Sequence, residues 1–189
     1  RGKILNVASA TADKLAANKE LADLVTALGC GAGRHFREAE LRYDKIVIMT
    51  DADVDGAHIA ALLMTFFFRE LPKLIAGGHL YLAQPPLYRL SHGGTIAYAR
   101  DERDRERLMG SLFKGKKNVE VGRFKGLGEM NPEQLWETTL DPEKRTLLQV
   151  KVNQADQANE IFETLMGDVV DPRREFIQDN ALKVVNLDV

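Results

Sequence analysis

The sequence predicts an α/β fold, with a Rossmann-like parallel sheet flanked by helices, a β-hairpin and a helical C-terminal tail. Two observations lead to this prediction. A continuous apolar run over residues 45–50 is typical of a strand buried in a parallel sheet. A long helical pattern and then a second strand follow it, and this order predicts a right-handed parallel crossover.

The remaining elements follow from apolar spacing and from glycine and proline positions. Residues 18–28 have a helical spacing that ends at Gly29, and residues 59–75 form a long helix closed by Gly77 and Gly78. Pro72 is expected to kink that helix near its end. The later elements are a strand at 79–83, a hairpin of 87–90 and 95–99, a surface helix at 101–109, a strand at 119–124, a helix from Pro132, and two short helices between 154 and 180 divided near Asp171-Pro172.

Bulk composition excludes several classes of protein. The chain has 189 residues, a net charge of −2, 44% apolar and 29% charged residues, which is ordinary for a globular protein. Without a global basic excess, any nucleic-acid contact depends on local patches. The single cysteine, Cys30, excludes an internal disulfide and a cysteine-based zinc site. The longest apolar run, residues 60–68, is too short to cross a bilayer.

Three aspartates, Asp51, Asp53 and Asp55, follow the first strand at alternate positions. In an extended chain, residues two apart point to the same side and lie roughly 6.6 Å apart along the backbone. Carboxylates that converge to ~4 Å repel by roughly 4 kcal/mol at an effective dielectric of about 20. A hard divalent cation with oxygen ligands offsets this repulsion. The spacing therefore predicts a magnesium site.

Two other interpretations apply to the aspartates. The pattern matches the opening of an EF-hand, but the twelfth position, where that loop needs glutamate, is Leu62, and a strand precedes the aspartates. The EF-hand is therefore excluded. Helix capping by Asp55, which precedes the long helix, explains that residue but leaves Asp51 and Asp53 unexplained.

Two glycine-containing segments suggest phosphate contacts. Residues 110–117 nearly match a P-loop, but they lack the closing Ser/Thr and follow a charged helix, so a basic surface loop is favoured. Residues 123–132 combine Arg123 and Lys125 with Gly126 and Gly128 before a helix. Glycines permit close approach to a phosphate and the cations neutralise it, although an ordinary charged turn explains the segment equally well.

At this point the residues resemble a known family. Thr50-Asp-Ala-Asp-Val-Asp-Gly-Ala-His-Ile59 is similar to the second acidic motif of the TOPRIM domain in bacterial type IIA topoisomerases. Further segments match the same family in the same order: Arg1-Gly-Lys-Ile-Leu-Asn, Gly78-His-Leu-Tyr, Gln84-Pro-Pro-Leu-Tyr, Lys125-Gly-Leu-Gly-Glu-Met-Asn-Pro-Glu-Gln-Leu, Thr138-Thr-Leu-Asp-Pro, Leu165-Met-Gly-Asp and Pro172-Arg-Arg. The resemblance covers essentially the whole chain and indicates the carboxyl-terminal part of a B subunit.

The resemblance implies a metal-dependent cleavage chemistry. In this family the TOPRIM carboxylates hold Mg²⁺, for which Mn²⁺ or Ca²⁺ substitutes, against the scissile phosphodiester and stabilise the leaving 3′ oxygen. A partner A subunit supplies the nucleophilic tyrosine and an arginine. By matching positions, Asp51 and Asp53 are the metal ligands, and Asp55 is a weaker ligand or a support.

The resemblance also implies partners and further site residues. Arg123, Lys125 and Lys3 are expected near double-stranded DNA, and Arg1 and Glu20 border the pocket used by quinolone-type inhibitors. The A and B subunits are expected to form an A2B2 heterotetramer in the bacterial cytoplasm, associated with the chromosome and not with a membrane. Residues 1–125 are expected to form the TOPRIM core, and residues 126–189 a helical tail that packs on it.

The family's first acidic residue, a glutamate in a Glu-Gly-Asp-Ser-Ala segment, precedes the residues present here, and so does the ATPase domain. We therefore expect half a metal site, no nucleotide site, and no DNA cleavage by this chain alone; ATP is expected only in the full-length protein. The lead Arg1 and the lack of a long insertion favour topoisomerase IV over gyrase. Rival hypotheses are a docking module for the A subunit and DNA, and a TOPRIM nuclease or primase, which predicts neither the Lys125-Gly-Leu-Gly-Glu-Met motif nor a helical tail.

Overall fold

The computed structural model describes residues 3–183 and has the mixed α/β architecture that the sequence predicts. The helices are α1 (Ala12–Ala17), α2 (Lys19–Leu28), α3 (Val54–Glu70), α4 (Pro72–Ala76), α5 (Glu102–Gly110), α6 (Pro132–Leu135), α7 (Ala155–Met166) and α8 (Val170–Asn180). The strands are β1 (Ile46–Ile48), β2 (Leu80–Ala83), β3 (Tyr88–His92), β4 (Thr95–Ala99), β5 (Glu120–Arg123) and β6 (Leu147–Gln149). Helix α1 and strand β6 have no counterpart among the predicted elements.

The strands form two three-stranded sheets, with the orders β1-β2-β6 and β4-β3-β5. In the second sheet, β3 pairs antiparallel with both neighbours, so that Leu90 lies opposite Ala97 on one side and Val121 on the other. The turn between β3 and β4 is Gly93-Gly94, with φ angles of 53° and 81°. Positive φ at both positions is what a two-residue hairpin turn of type I′ requires, and the predicted hairpin is confirmed.

The chain divides into two compact units, each with buried apolar residues of its own. One unit combines the described residues before Met49 with His58–Tyr81 and with the described residues from Gln149 onward. Its fully buried side chains include Phe66, Phe67, Leu71, Leu74 and Leu80. The other unit consists of Met49–Ala57 and Leu82–Leu148, and its buried cluster is Tyr88, Leu90, Ala99 and Phe113. The predicted domain boundary at residue 125 stays a prediction.

Helix ends follow local chemistry. Helix α2 begins where the Asn18 side chain accepts a hydrogen bond from the Leu21 N–H at 2.9 Å, and it ends at Gly29, whose φ of 79° is left-handed. Pro72 does not kink one long helix, as the sequence predicted, but begins a new one. The residue before a proline is disfavoured in the helical region, so Leu71 leaves it (φ −134°, ψ 45°) and α3 ends at Glu70.

The predicted helical tail is present, but its break lies elsewhere. Helices α7 and α8 are separated at Gly167–Val169, and Asp171-Pro172 lies in the first turn of α8. A proline is tolerated there because the first turn contains N–H groups without intrahelical partners. None of the helices in the described part of the chain is both long and apolar enough to cross a membrane.

Candidate functional site

The three aspartates do not lie along one extended strand, which corrects the geometry expected from their spacing. Strand β1 ends at Ile48, Asp51 and Asp53 follow outside regular structure, and helix α3 already begins at Val54. Asp55 is therefore in the first helical turn, where the side-chain direction no longer follows the two-residue period of a strand. All three belong to the second unit, with Asp51 and Asp55 exposed and Asp53 half-buried.

Asp53, rather than Asp55 as predicted from the sequence, caps helix α3. The Gly56 N–H donates to Asp53 Oδ1 at 2.6 Å, and the Ala57 N–H donates to the Asp53 carbonyl at 3.0 Å. This pattern is that of an N-cap residue whose carboxylate satisfies one of the free N–H groups at the start of a helix. The cap fixes one oxygen of Asp53, and its other oxygen makes no hydrogen bond among the described residues.

Gly56 brings the start of α3 against the backbone of Asp51. A Cβ atom at this buried position would lie 2.1 Å from the Asp51 carbonyl oxygen and 2.8 Å from its carbonyl carbon. Both separations are far shorter than a van der Waals contact, so only glycine fits without a shift of the backbone. Gly56 therefore fixes where Asp51 sits relative to the capped helix.

The side chain of Asp51 is held by a segment far away in sequence. The Leu127 N–H donates to Asp51 Oδ1 at 2.8 Å, across 76 residues of chain. A Cβ atom on Gly126 would lie 3.2 Å from both Cγ and Oδ1 of Asp51, so the glycine permits this close approach. The structure thus joins the acidic segment to the glycine-flanked segment, although the two are far apart in the sequence.

We call residues 125–129 the glycine loop. It is closed by a hydrogen bond from the Lys125 N–H to Glu129 Oε2 at 2.8 Å, and Leu127–Glu129 forms a 3-10 turn. Helix α6 follows, where Asn131 and Gln134 form a reciprocal capping box before and after Pro132. The loop is therefore pinned at both ends by side-chain to backbone hydrogen bonds.

The two predicted DNA-contacting cations of this unit lie at the start of the glycine loop or just before it. Lys125 is exposed, and its ammonium forms no ion pair among the described residues. Arg123 is the exposed last residue of β5, opposite Tyr88 in the sheet register. Lys3 and Glu20 belong to the other unit, and Arg1 lies outside the described residues. Their expected roles in DNA and inhibitor binding stay predictions.

The donor set around Asp51 and Asp53 fits a hard divalent cation. Each carboxylate is anchored through Oδ1 to a backbone N–H, which leaves Oδ2 for a ligand. Within residues 3–183, no three His, Cys, Asp or Glu side chains are grouped closely enough to hold a metal ion by themselves. Mg²⁺ does not require such a group, because it is usually bound by one or two carboxylates, with waters and substrate phosphates completing its octahedron.

A polar cavity of about 280 Å³ elsewhere in the same unit is a weaker candidate. Its lining residues include Tyr98, Arg100, Asp104, Glu137 and Lys144. These groups largely satisfy one another: the Tyr98 hydroxyl donates to Glu137 at 2.6 Å, and Asp104 pairs with Arg100. Burial, together with the Glu137 carboxylate, raises the pKa of Tyr98. The polar side chains that line this cavity therefore bind mainly to one another and leave few groups for a ligand.

Sequence reasoning missed the residues that position Asp51. Leu127 acts through its backbone N–H, which every residue except proline carries, so no sequence signal marks it. Gly56 did carry a signal, because glycine is a poor residue for the first turn of a helix and its presence there indicates a close approach. Glu129, which closes the glycine loop, also had a sequence signal, because it is an acidic residue directly after the second glycine of that loop.

Comparisons with known proteins give two family matches. The family model for the Toprim domain matches residues 1–85, and the model for the carboxyl terminus of the DNA gyrase B subunit matches residues 116–178. Together the two models include both the aspartates and the glycine loop.

The similar proteins are B subunits of two enzymes, DNA topoisomerase 4 and DNA gyrase. The B subunit of DNA topoisomerase 4 from Caulobacter vibrioides is 61% identical over 96% of this chain, and that from Bartonella bacilliformis is 55% identical over all of it. The B subunit of DNA gyrase from Clostridium acetobutylicum is 52% identical, also over the whole chain. The chain spans only 26–30% of the length of these relatives. By these matches, the chain belongs to the family of type IIA topoisomerase B subunits and corresponds to their Toprim and carboxyl-terminal region.

Proposed function

We propose that this chain is the metal-binding part of the DNA cleavage and religation centre of a type IIA topoisomerase. In this proposal Asp51 and Asp53 are the metal ligands, and Asp55 supports them. The observation that carries it is the 2.8 Å hydrogen bond from the Leu127 N–H to Asp51, because it puts a carboxylate and a cation-bearing glycine loop into one site. A site that acts on a phosphodiester needs both features.

The residues have separable tasks. The backbone N–H groups of Leu127 and Gly56 orient the two carboxylates before any substrate arrives, so this orientation adds no cost during the reaction. Lys125 and Arg123 neutralise and position the DNA backbone beside them. When bound, Mg²⁺ supplies Lewis-acid stabilisation of charge at the scissile phosphate.

Partners complete the activity. The A subunit supplies the nucleophile, an A2B2 assembly holds double-stranded DNA, and ATP binds to the full-length B subunit for strand passage. This assignment implies a bacterial cytoplasmic, chromosome-associated location. Without its A subunit the chain is expected to cleave no DNA, because the nucleophile lies on that subunit.

Within the family we propose topoisomerase IV, which relaxes and decatenates DNA. The 61% identity to the Caulobacter protein supports this choice. Gyrase B subunits align over all 189 residues as well, so the lack of an insertion does not distinguish the two enzymes. Gyrase is therefore the alternative, and a supercoiling assay with the complete subunits separates it from a decatenating enzyme.

The metal assignment is tested in the full-length B subunit with its A subunit, using Mg²⁺-dependent cleavage of supercoiled plasmid. Asp51→Asn with Asp53→Asn is expected to lower cleavage by at least about 10²-fold, since two ligand charges are removed while shape is kept. The control is Asp156→Asn with Asp179→Asn, which removes the same charge at exposed positions of the other unit. Full cleavage by the Asp51/Asp53 variant contradicts the assignment and favours a docking role.

A further inference from the structure

The turn between α5 and β5 carries three lysines, Lys114, Lys116 and Lys117, all exposed. We call residues 111–117 the lysine turn. Among the described residues, none of these three ammonium groups forms an ion pair. Several other cations of the same unit are paired with acids: Arg105 with Glu102, Arg107 with Asp104 and Lys144 with Asp141. The lysine turn is therefore a local concentration of uncompensated positive charge in a chain of net charge −2.

The backbone of the lysine turn is fixed by its own contacts. Phe113 is only 1% exposed and belongs to the buried cluster of the second unit. Its N–H donates to the Leu108 carbonyl at 3.1 Å, and its carbonyl accepts from the Lys116 N–H at 3.0 Å. The Lys116 ammonium lies 5.4 Å from the centre of the Phe113 ring, a cation–π distance. Because the backbone of the turn is already ordered, ligand binding has to fix only the lysine side chains.

The surroundings select the type of ligand. A nucleotide-binding P-loop joins a strand to a helix, whereas this turn joins helix α5 to strand β5. The lysines are exposed, and ammonium groups act as hydrated point charges without the planar fork of arginine. Such groups match an extended series of phosphates read without sequence preference, as on a duplex backbone.

Chain geometry relates the lysine turn to the glycine loop. Seven residues lie between Lys117 and Lys125, and most of them belong to or flank strand β5. At about 3.3 Å per residue over eight steps, the Cα atoms of these two lysines are at most about 26 Å apart, or roughly eight base pairs at 3.4 Å each. A duplex engaged at the glycine loop therefore has its flanking phosphates within reach of the lysine turn.

We propose that the lysine turn is a second, sequence-independent contact for the backbone of duplex DNA flanking the cleavage centre. This inference rests on the proposed function, since it takes DNA at the glycine loop as given. It adds a binding surface that contributes affinity and register, and no group of the lysine turn takes part in the cleavage chemistry.

The test measures binding of a fluorescent 30-base-pair duplex by this chain, by anisotropy between 50 and 200 mM salt. Lys114→Gln with Lys116→Gln and Lys117→Gln is expected to weaken binding about tenfold or more at 50 mM. It should also flatten the slope of log affinity against log salt by about 2.7, because each phosphate contact contributes about 0.9. The matched control, Lys73→Gln with Lys151→Gln and Lys183→Gln, removes three exposed lysines of the other unit and should change both quantities little.

Three results overturn the inference: no binding by the unsubstituted chain at 50 mM salt, an unchanged slope in the triple variant, or an equal effect of the control. An unchanged slope leaves an acidic protein surface as the partner of these lysines. Circular dichroism of both variants verifies that they fold. The proposed function is judged separately, because the Asp51 and Asp53 substitutions test cleavage, while the lysine substitutions test binding alone.

Discussion

Replacing Gly56 by alanine tests whether the contact between α3 and Asp51 positions the site. The added Cβ would lie 2.1 Å from the Asp51 carbonyl oxygen, and an ordinary contact of about 3.4 Å requires a displacement of about 1.3 Å. A shift of that size would stretch the 2.8 Å bond between Leu127 and Asp51 beyond hydrogen-bonding distance. The substitution therefore disturbs the carboxylate without removing a polar group.

The energetic expectation combines two opposing effects. Overpacking costs about 1–3 kcal/mol, whereas alanine in a helix is favoured over glycine by about 0.5–1 kcal/mol. The net loss of about 1–2 kcal/mol lowers the melting temperature by about 2–8 °C. Plasmid cleavage by the assembled enzyme should fall about 10²-fold, as expected for a 1 Å misplacement of a catalytic group.

Gly110 offers a matched control, because it is also a helical glycine but has no neighbouring atom within 4 Å of the place that a Cβ would occupy. Gly110→Ala should raise stability by up to about 1 kcal/mol and leave cleavage unchanged. Thermal melts of both variants and a cleavage time course provide the readouts. If Gly56→Ala is as stable and as active as Gly110→Ala, the positioning role assigned to Gly56 is wrong.

Three further predictions concern stability. Asp53→Ala should cost about 1 kcal/mol in urea unfolding because the helix cap is lost, whereas Asp53→Asn should keep the cap and lose cleavage; equal stability of the two variants would exclude capping. The pKa of His79 is raised by the hydrogen bond of its Nδ1 to the Asp44 carbonyl and then by Glu38 at its Nε2. The protonated imidazole therefore stabilises the folded chain fully below about pH 6.5, and this contribution is lost as the pH rises through the raised pKa. Urea titrations at pH 5.5 and 8.5 should show this decline and its absence in His79→Gln, and a rise with pH would refute it. Phe66 is 2% exposed, so Phe66→Ala should lower the free energy of unfolding by about 3–5 kcal/mol. A decrease below about 1 kcal/mol would contradict the place of Phe66 in the core.

Elements whose signals are local were predictable from the sequence. The helix that starts after Asn18 and stops at Gly29 has a cap, an apolar stripe and a left-handed end within a dozen residues. The hairpin turn is likewise predicted by the pair Gly93-Gly94, because glycine adopts positive φ at both positions without strain. In such cases the determining contacts lie within one or two turns of the chain.

The candidate site depended on contacts that are not local. The stretch Asp-Ala-Asp-Val-Asp-Gly offers two aspartates that could cap the next helix, and sequence alone favoured Asp55. The structure selects Asp53, because the helix begins at Val54 with Gly56 against the backbone of Asp51. The bond from the glycine loop was inaccessible for a different reason, since its donor is a backbone N–H and carries no residue-specific signal.

The 76-residue separation between Asp51 and its donor at Leu127 has a consequence for biosynthesis. At about 5–20 residues per second, the ribosome makes Leu127 about 4–15 s after Asp51. During that interval the nascent chain holds the acidic segment and its capped helix but lacks the loop that orients the first carboxylate. Assembly of the site is therefore a late event in translation, and a ribosome stalled before residue 127 carries a nascent chain whose Asp51 lacks that orientation.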